Sequence, residues 1–109
     1  MLNLNSERFS SVVQTAFDTA TERGGRDAKR WTVAIVKAQS ILRDTAFWHM
    51  TERGELLVLS PDSDIIYETN GRVCEQIIGE RRVNCPAYDR GMPCKHRAMH
   101  RLLKNYLSE

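Results

Sequence analysis

Apolar residues in the first part of the chain recur every three or four positions. Phe9, Val12, Val13, Ala16, Phe17 and Ala20 make one stripe; Trp31, Ala34, Ile35, Ala38, Ile41 and Leu42 make a second. This spacing predicts two amphipathic helices. Asn5 or Ser6 suits the cap of the first, Glu7 the positive end of its dipole, and Gly24-Gly25 its end. Asp27 suits the cap of the second. The run TVAIV at 32–36 would also fit a strand, since β-branched residues favour one, but the helical period continues well past it.

From Thr45 onward the pattern changes to short apolar runs, FWHM, ELLVLS, IIYET and RVCEQII, separated by TERG, PDSD and NG. This is the pattern of an antiparallel meander. Asn70-Gly71 is its strongest turn signal and predicts a type I′ turn, which needs positive φ at both central positions. The tail CKHRAMHRLLKNYL returns to helical spacing, with Ala98, Leu102 and Tyr106 on one side and Met99, Leu103 and Leu107 widening the apolar face. The expected class is α+β: two N-terminal helices, a small antiparallel β-meander and a C-terminal helix, with the N-terminal helices on the other side of the sheet. At 109 residues the chain supports one modest core, so a single domain is expected, helical over 1–45 and β-meander with the C-terminal tail over 46–109.

Composition narrows the class. The hydrophobic (41%) and charged (28%) fractions are ordinary for a globular chain, which removes the grounds for expecting disorder. The start, MLNLNSERFSS, lacks a basic segment followed by an apolar one, and no apolar run approaches a membrane helix. A cytoplasmic location without membrane contact is therefore expected, where cysteines serve as thiols or metal ligands rather than disulfides. Three cysteines, an odd number, point the same way. The net charge of +2 divides unevenly: +3 over residues 1–43, −5 over 44–70 and +5 over 71–104. The last of these segments also holds the cysteines. Its basic residues Arg81, Arg82, Arg90, Lys95, Arg97, Arg101 and Lys104 suit a nucleic-acid partner, although a mixed solvated surface would look similar.

The stretch CPAYDRGMPCKH, residues 85–96, carries Cys85, Cys94 and His96. Zinc prefers thiolate and imidazole and takes four ligands in a closed structural site. Gly91 permits a turn in the loop, Pro93 restricts Met92 ahead of the ligand pair, and Pro86 ends any strand at Cys85. Cys74, His100 and water are the candidates for the fourth position. His100 would share a helix face with His96. Cys74 becomes a neighbour of Cys85 if a hairpin turns at Gly79-Glu80, where glycine in first place suits type II′. In that register the two cysteines stand opposite, with Cβ atoms about 4.5–5.5 Å apart. Cys74 is favoured for that reason, against its reading as a small buried hydrophobe. His49 reads as a sheet-surface or core histidine. A catalytic Cys–His pair lacks any third orienting residue or oxyanion-hole signature, so no enzyme activity and no small-molecule substrate are expected.

The residues YETNGRVC…NCPAYDRGMPCKHRAMHRLL resemble the SWIM zinc finger, whose pattern is Cys-x-Cys, a variable loop and Cys-x-His. The resemblance covers roughly residues 64 to 104. It lies in the aromatic residue after the second cysteine, the Gly-x-Pro-Cys-Lys-His run and the Ala- and Leu-rich helix. Val83 stands where the first cysteine of Cys-x-Cys would fall, so the pair looks split by an inserted hairpin, EQIIGERRVN. The resemblance implies a small zinc-stabilised ββα module with DNA-binding or protein-interaction roles. It places Zn2+ on Cys85, Cys94 and His96, and on Cys74 if the insertion is accepted. The functional expectation is binding of nucleic acid, DNA in particular, by the basic face of the finger. The alternative is a non-enzymatic protein-interaction adaptor of phage or mobile-element type, using the acidic 44–70 segment or the hairpin.

Overall fold

The computed structural model describes residues 6–23, 26–60 and 64–108. The Asn5 cap, the Gly24-Gly25 stop and most of the PDSD turn lie outside the described residues. Two helices open the chain, α1 (Glu7–Arg23) and α2 (Arg26–Leu42), followed by a single 3-10 turn at Thr45–Phe47. Five strands follow: β1 (Trp48–Met50), β2 (Leu56–Leu59), β3 (Ile66–Thr69), β4 (Cys74–Ile78) and β5 (Arg81–Asn84). A short helix α3 (Pro86–Asp89) and a longer one, α4 (Lys95–Leu107), complete the α+β fold.

Ser6 caps α1 through its hydroxyl, which accepts from the Phe9 N–H (3.2 Å). Asp27 falls in the first turn of α2 rather than at its cap, where it meets the helix dipole and pairs with Arg30 at 3.7 Å. The strands form one antiparallel sheet in chain order, as a meander requires. Partner positions share a face, so Trp48, Val58, Tyr67 and Gln76 point one way, together with Leu56, Thr69 and Cys74.

The helical layer departs from the expected arrangement. Instead of lying on the far side of the sheet, α1 and α2 pack on α4, and α4 packs in turn on β2 and β3. The apolar arc of α4 is wide enough to serve both neighbours. Ala98, Met99, Leu102, Leu103 and Tyr106 are all buried, in one cluster with Phe9 and Val12 of α1, Ala34 and Ala38 of α2, and Leu56 and Val58 of β2. Phe9 meets the Tyr106 ring edge-on at 5.6 Å, and Arg8 donates to the Tyr106 carbonyl at 2.8 Å. Leu107, expected on the apolar face, is 54% exposed because it falls on neither contact side.

The Asn70-Gly71 turn also differs from expectation. Strands β3 and β4 pair only as far as Thr69 and Cys74, leaving a four-residue loop in which Gly71 alone has positive φ (+91°). Asn70 uses its side chain instead: Oδ1 accepts from the N–H groups of Arg72 (2.9 Å) and Val73 (3.0 Å). Thr69 locks the loop from below, with Oγ1 donating to the Val73 carbonyl (2.6 Å) and accepting from the Gly71 N–H (3.0 Å). Since Thr69 is buried, Thr69→Val is expected to strand both groups and lower stability by about 1–3 kcal/mol in chemical denaturation.

Candidate metal centre

The hairpin of β4 and β5 positions the first two donors. Ile78 pairs with Arg81 across Gly79-Glu80, and Gly79 alone takes positive φ (+62°), as type II′ requires. The register continues to Glu75 opposite Asn84, and the Cys85 N–H donates to the Cys74 carbonyl (3.0 Å). Cys74 and Cys85 therefore end the hairpin side by side. Pro86 then ends the strand and opens α3, with the Asp89 N–H donating to the Cys85 carbonyl (2.8 Å). The chain returns through Cys94, at the start of α4, and His96, in its first turn.

These four residues are buried, and their donor atoms lie within 4.8 Å of one another. They could hold a metal ion. The Cys85 and Cys94 sulfurs are 3.7 Å apart; His96 Nδ1 is 3.7 Å from the Cys74 sulfur and 3.6 Å from that of Cys94. With Zn–S near 2.3 Å and Zn–N near 2.0–2.1 Å, a tetrahedral ion would hold sulfurs about 3.8 Å apart, and sulfur and nitrogen about 3.6 Å apart. The spacing fits a shared ion. It is far beyond a disulfide bond of about 2.05 Å, and all three cysteines are free.

The three thiols perturb one another in opposite directions. Cys85 is driven well below the usual thiol range, chiefly by hydrogen bonds from Cys74 and then from Cys94, helped by His96 and the Tyr88 backbone N–H. Cys74 is driven far up by donating to Cys85 and Cys94 and by burial. Cys94 feels most strongly its bond from Cys74, which favours the thiolate, but its contact with Cys85 and its burial outweigh this and raise it. Thiolates held this close repel one another, and a divalent ion would offset that repulsion.

Tyr67 of β3 stacks on the His96 ring (centroids 4.0 Å apart, 21° between planes) and closes one side of the site. His100, the other candidate ligand, is not part of it. Its Nε2 meets the Gly54 carbonyl at 2.6 Å, while its buried Nδ1 lies against Gly71 and has no hydrogen-bond partner among the described residues. It fastens α4 to the β1–β2 and β3–β4 turns. His49 is exposed on β1, as a sheet-surface histidine.

The seven basic residues of the finger segment do not form one face. Arg82 turns to the outer side of the sheet, 3.2 Å from Glu68 and 3.7 Å from Glu75, and is neutralised there. Arg81 is exposed on β5, and Arg90 lies at the end of α3. Lys95 lines a cavity of about 630 Å³ between α2 and the α3–α4 loop, facing Lys29, Arg30 and Lys37. Arg97 and Arg101 both lie over the ring of Trp31, at 5.7 and 4.7 Å from its centroid, and Arg97 also faces Tyr88 at 5.5 Å. Sequence reasoning missed this pairing of Trp31 with the C-terminal arginines. The helical period marks Trp31 only as a core position, and nothing local identifies which helix covers it.

Comparison with protein-family models, with curated proteins and with solved structures finds no match to this chain.

Proposed function

We propose that this chain is a small zinc-stabilised SWIM-like module that binds nucleic acid, DNA in particular, through the cations of α4. The zinc reading is carried by the donor spacing around Cys74, Cys85, Cys94 and His96. Four protein ligands leave no open coordination position, which suits a structural ion rather than a catalytic one. The split ligand pair agrees with a SWIM finger whose Cys-x-Cys element has been opened by the β4–β5 hairpin. The nucleic-acid reading is carried by Arg97, Arg101 and Lys104, which form no ion pair with any described carboxylate. Such a surface addresses phosphates, so affinity should fall steeply with salt. Titration of the zinc-loaded protein with duplex and single-stranded DNA between about 50 and 200 mM salt tests this; absence of salt-sensitive binding would remove the reading.

A protein-interaction role is favoured by a different surface. Leu59, Ile66 and Ile77 are paired neighbours on the outer face of the sheet, beside Leu57, and Leu59 is 47% exposed. A stoichiometric protein partner captured from the native host and retained after nuclease treatment would favour this second reading.

A further inference from the structure

The groove where α1, α2 and α4 meet encloses about 380 Å³, and no carboxylate among the described residues lines it. Arg23, Arg101 and Lys104 contribute its cations, Thr15 and Thr19 its hydroxyls, and Trp31 part of its wall. We propose that this groove is a phosphate-binding site and that its occupant is a phosphodiester of a nucleic-acid strand; the choice of source rests on the nucleic-acid reading above.

Three independent observations support the site. First, its cations are uncompensated. Among the described residues, neither Arg23, Arg97, Arg101 nor Lys104 forms an ion pair. Second, they are held close despite mutual repulsion. Burial first, and then Arg97 and Arg23, push the Arg101 guanidinium below its usual value. An anion in the groove relieves this repulsion, which ordinary solvated cations on separate surfaces do not experience. Third, the arginines are preorganised. Arg97 and Arg101 rest over the Trp31 ring, and the Arg97 Nε–H donates to the Gly71 carbonyl at 3.3 Å, so less side-chain entropy is lost on binding. Planar guanidinium groups also match two phosphate oxygens at once. A single phosphate and its sugar fit a groove of this size. The neighbouring Arg97 lies over the same indole and offers a second guanidinium to an adjacent phosphate.

The test measures binding of fluorescein-labelled oligothymidylate and of a labelled duplex by anisotropy, across salt, with the zinc-loaded full chain. Arg23→Gln and Arg101→Gln should each weaken binding about tenfold and lower the salt slope by about 0.7–0.9. Arg101→Lys, which keeps the charge but loses the fork, should fall between wild type and Arg101→Gln. Arg53→Gln, on the β1–β2 turn, should change nothing. Trp31 fluorescence should respond to the oligonucleotide, and Trp31→Phe should remove the response. Circular dichroism checks that each variant is folded, and Arg23 is not one of the two arginines that lie over the Trp31 ring.

Unchanged affinity in folded Arg23→Gln and Arg101→Gln would overturn the groove while leaving nucleic-acid binding by other surfaces intact. Wild-type protein that ignores both nucleic acids, yet shows an Arg101-dependent Trp31 response to inorganic phosphate, would overturn the strand as source and keep the phosphate site. Failure of all three probes would overturn the site itself. Tighter binding of polyglutamate than of oligothymidylate would overturn the phosphate assignment in favour of an acidic peptide.

Discussion

Cys85→Ala is expected to remove stoichiometric zinc from the native protein and to unfold the region from residue 70 to 104. Cys85 joins two of the other three donors: its sulfur is 3.7 Å from that of Cys94, and its backbone ties the hairpin to Cys74. Structural zinc contributes on the order of 10 kcal/mol of binding free energy in small modules near neutral pH, comparable to the whole stability of a domain, about 5–15 kcal/mol. Metal analysis together with far-UV circular dichroism measures both effects. Cys74→Ala should reproduce them, whereas His100→Ala should keep the metal. The reverse result would return His100 to the ligand set. Chelation should match Cys85→Ala, and a fold unchanged by chelation would defeat the structural role of the ion. The pH dependence has a definite sign. The thiols of Cys74 and Cys94 are raised without the ion, so binding must displace their protons. Metal retention is therefore complete at higher pH and lost as pH falls.

Gly71→Ala is expected to cost about 2–5 kcal/mol although it adds a single methyl group. At φ +91° an L side chain is strained by about 1–2 kcal/mol. The new Cβ would also stand 2.8 Å from His100 Nδ1 and 3.3 Å from its Cε1. His100 could yield only by loosening its contact with the Gly54 carbonyl, stranding a buried polar group at about 1–3 kcal/mol. Gly79→Ala is the control. It shares the positive φ, but its Cβ would meet nothing within 4 Å, so only the backbone cost applies. Denaturant midpoints with unchanged slopes measure the difference. Adding His100→Ala to Gly71→Ala should recover the steric part as a coupling energy. Equal costs at the two glycines would show that His100 yields freely.

Much of the candidate site is legible in the sequence because its geometry is local. A two-residue turn at Gly79-Glu80 fixes the pairing sum, and that sum alone carries Cys74 to Cys85. The loop prolines and the helical period from Lys95 onward then place Cys94 and His96. The helices are legible for the same reason: each stripe reports its own burial. What a stripe does not report is its partner. Ala34 and Ala38 would be equally buried against a sheet, so the packing of α1 and α2 on α4 stays hidden, and with it the meeting of Trp31 and Arg101. Sequence spacing likewise cannot separate His96 from His100, four residues apart on one helix. Only the approach of Gly54 and Gly71 turns His100 from a possible ligand into a clasp. At Asn70 the turn propensity is real, but the amide side chain satisfies the loop differently from a type I′ turn.

The division of the four donors has a consequence for how the chain assembles. Cys74 and Cys85 belong to one hairpin, a unit that closes within about 1–10 μs, before any distant contact is required. Cys94 and His96 follow on the next short stretch of chain, so every donor comes from a sequence-local segment and none from α1 or α2. An ion can therefore be captured by the C-terminal part while the N-terminal helices are still unplaced. Capture fixes the start of α4, and α4 is the surface on which α1 and α2 dock. On this route the metal serves as the template on which the N-terminal part of the chain folds, and refolding should show helix docking as a later, zinc-dependent phase.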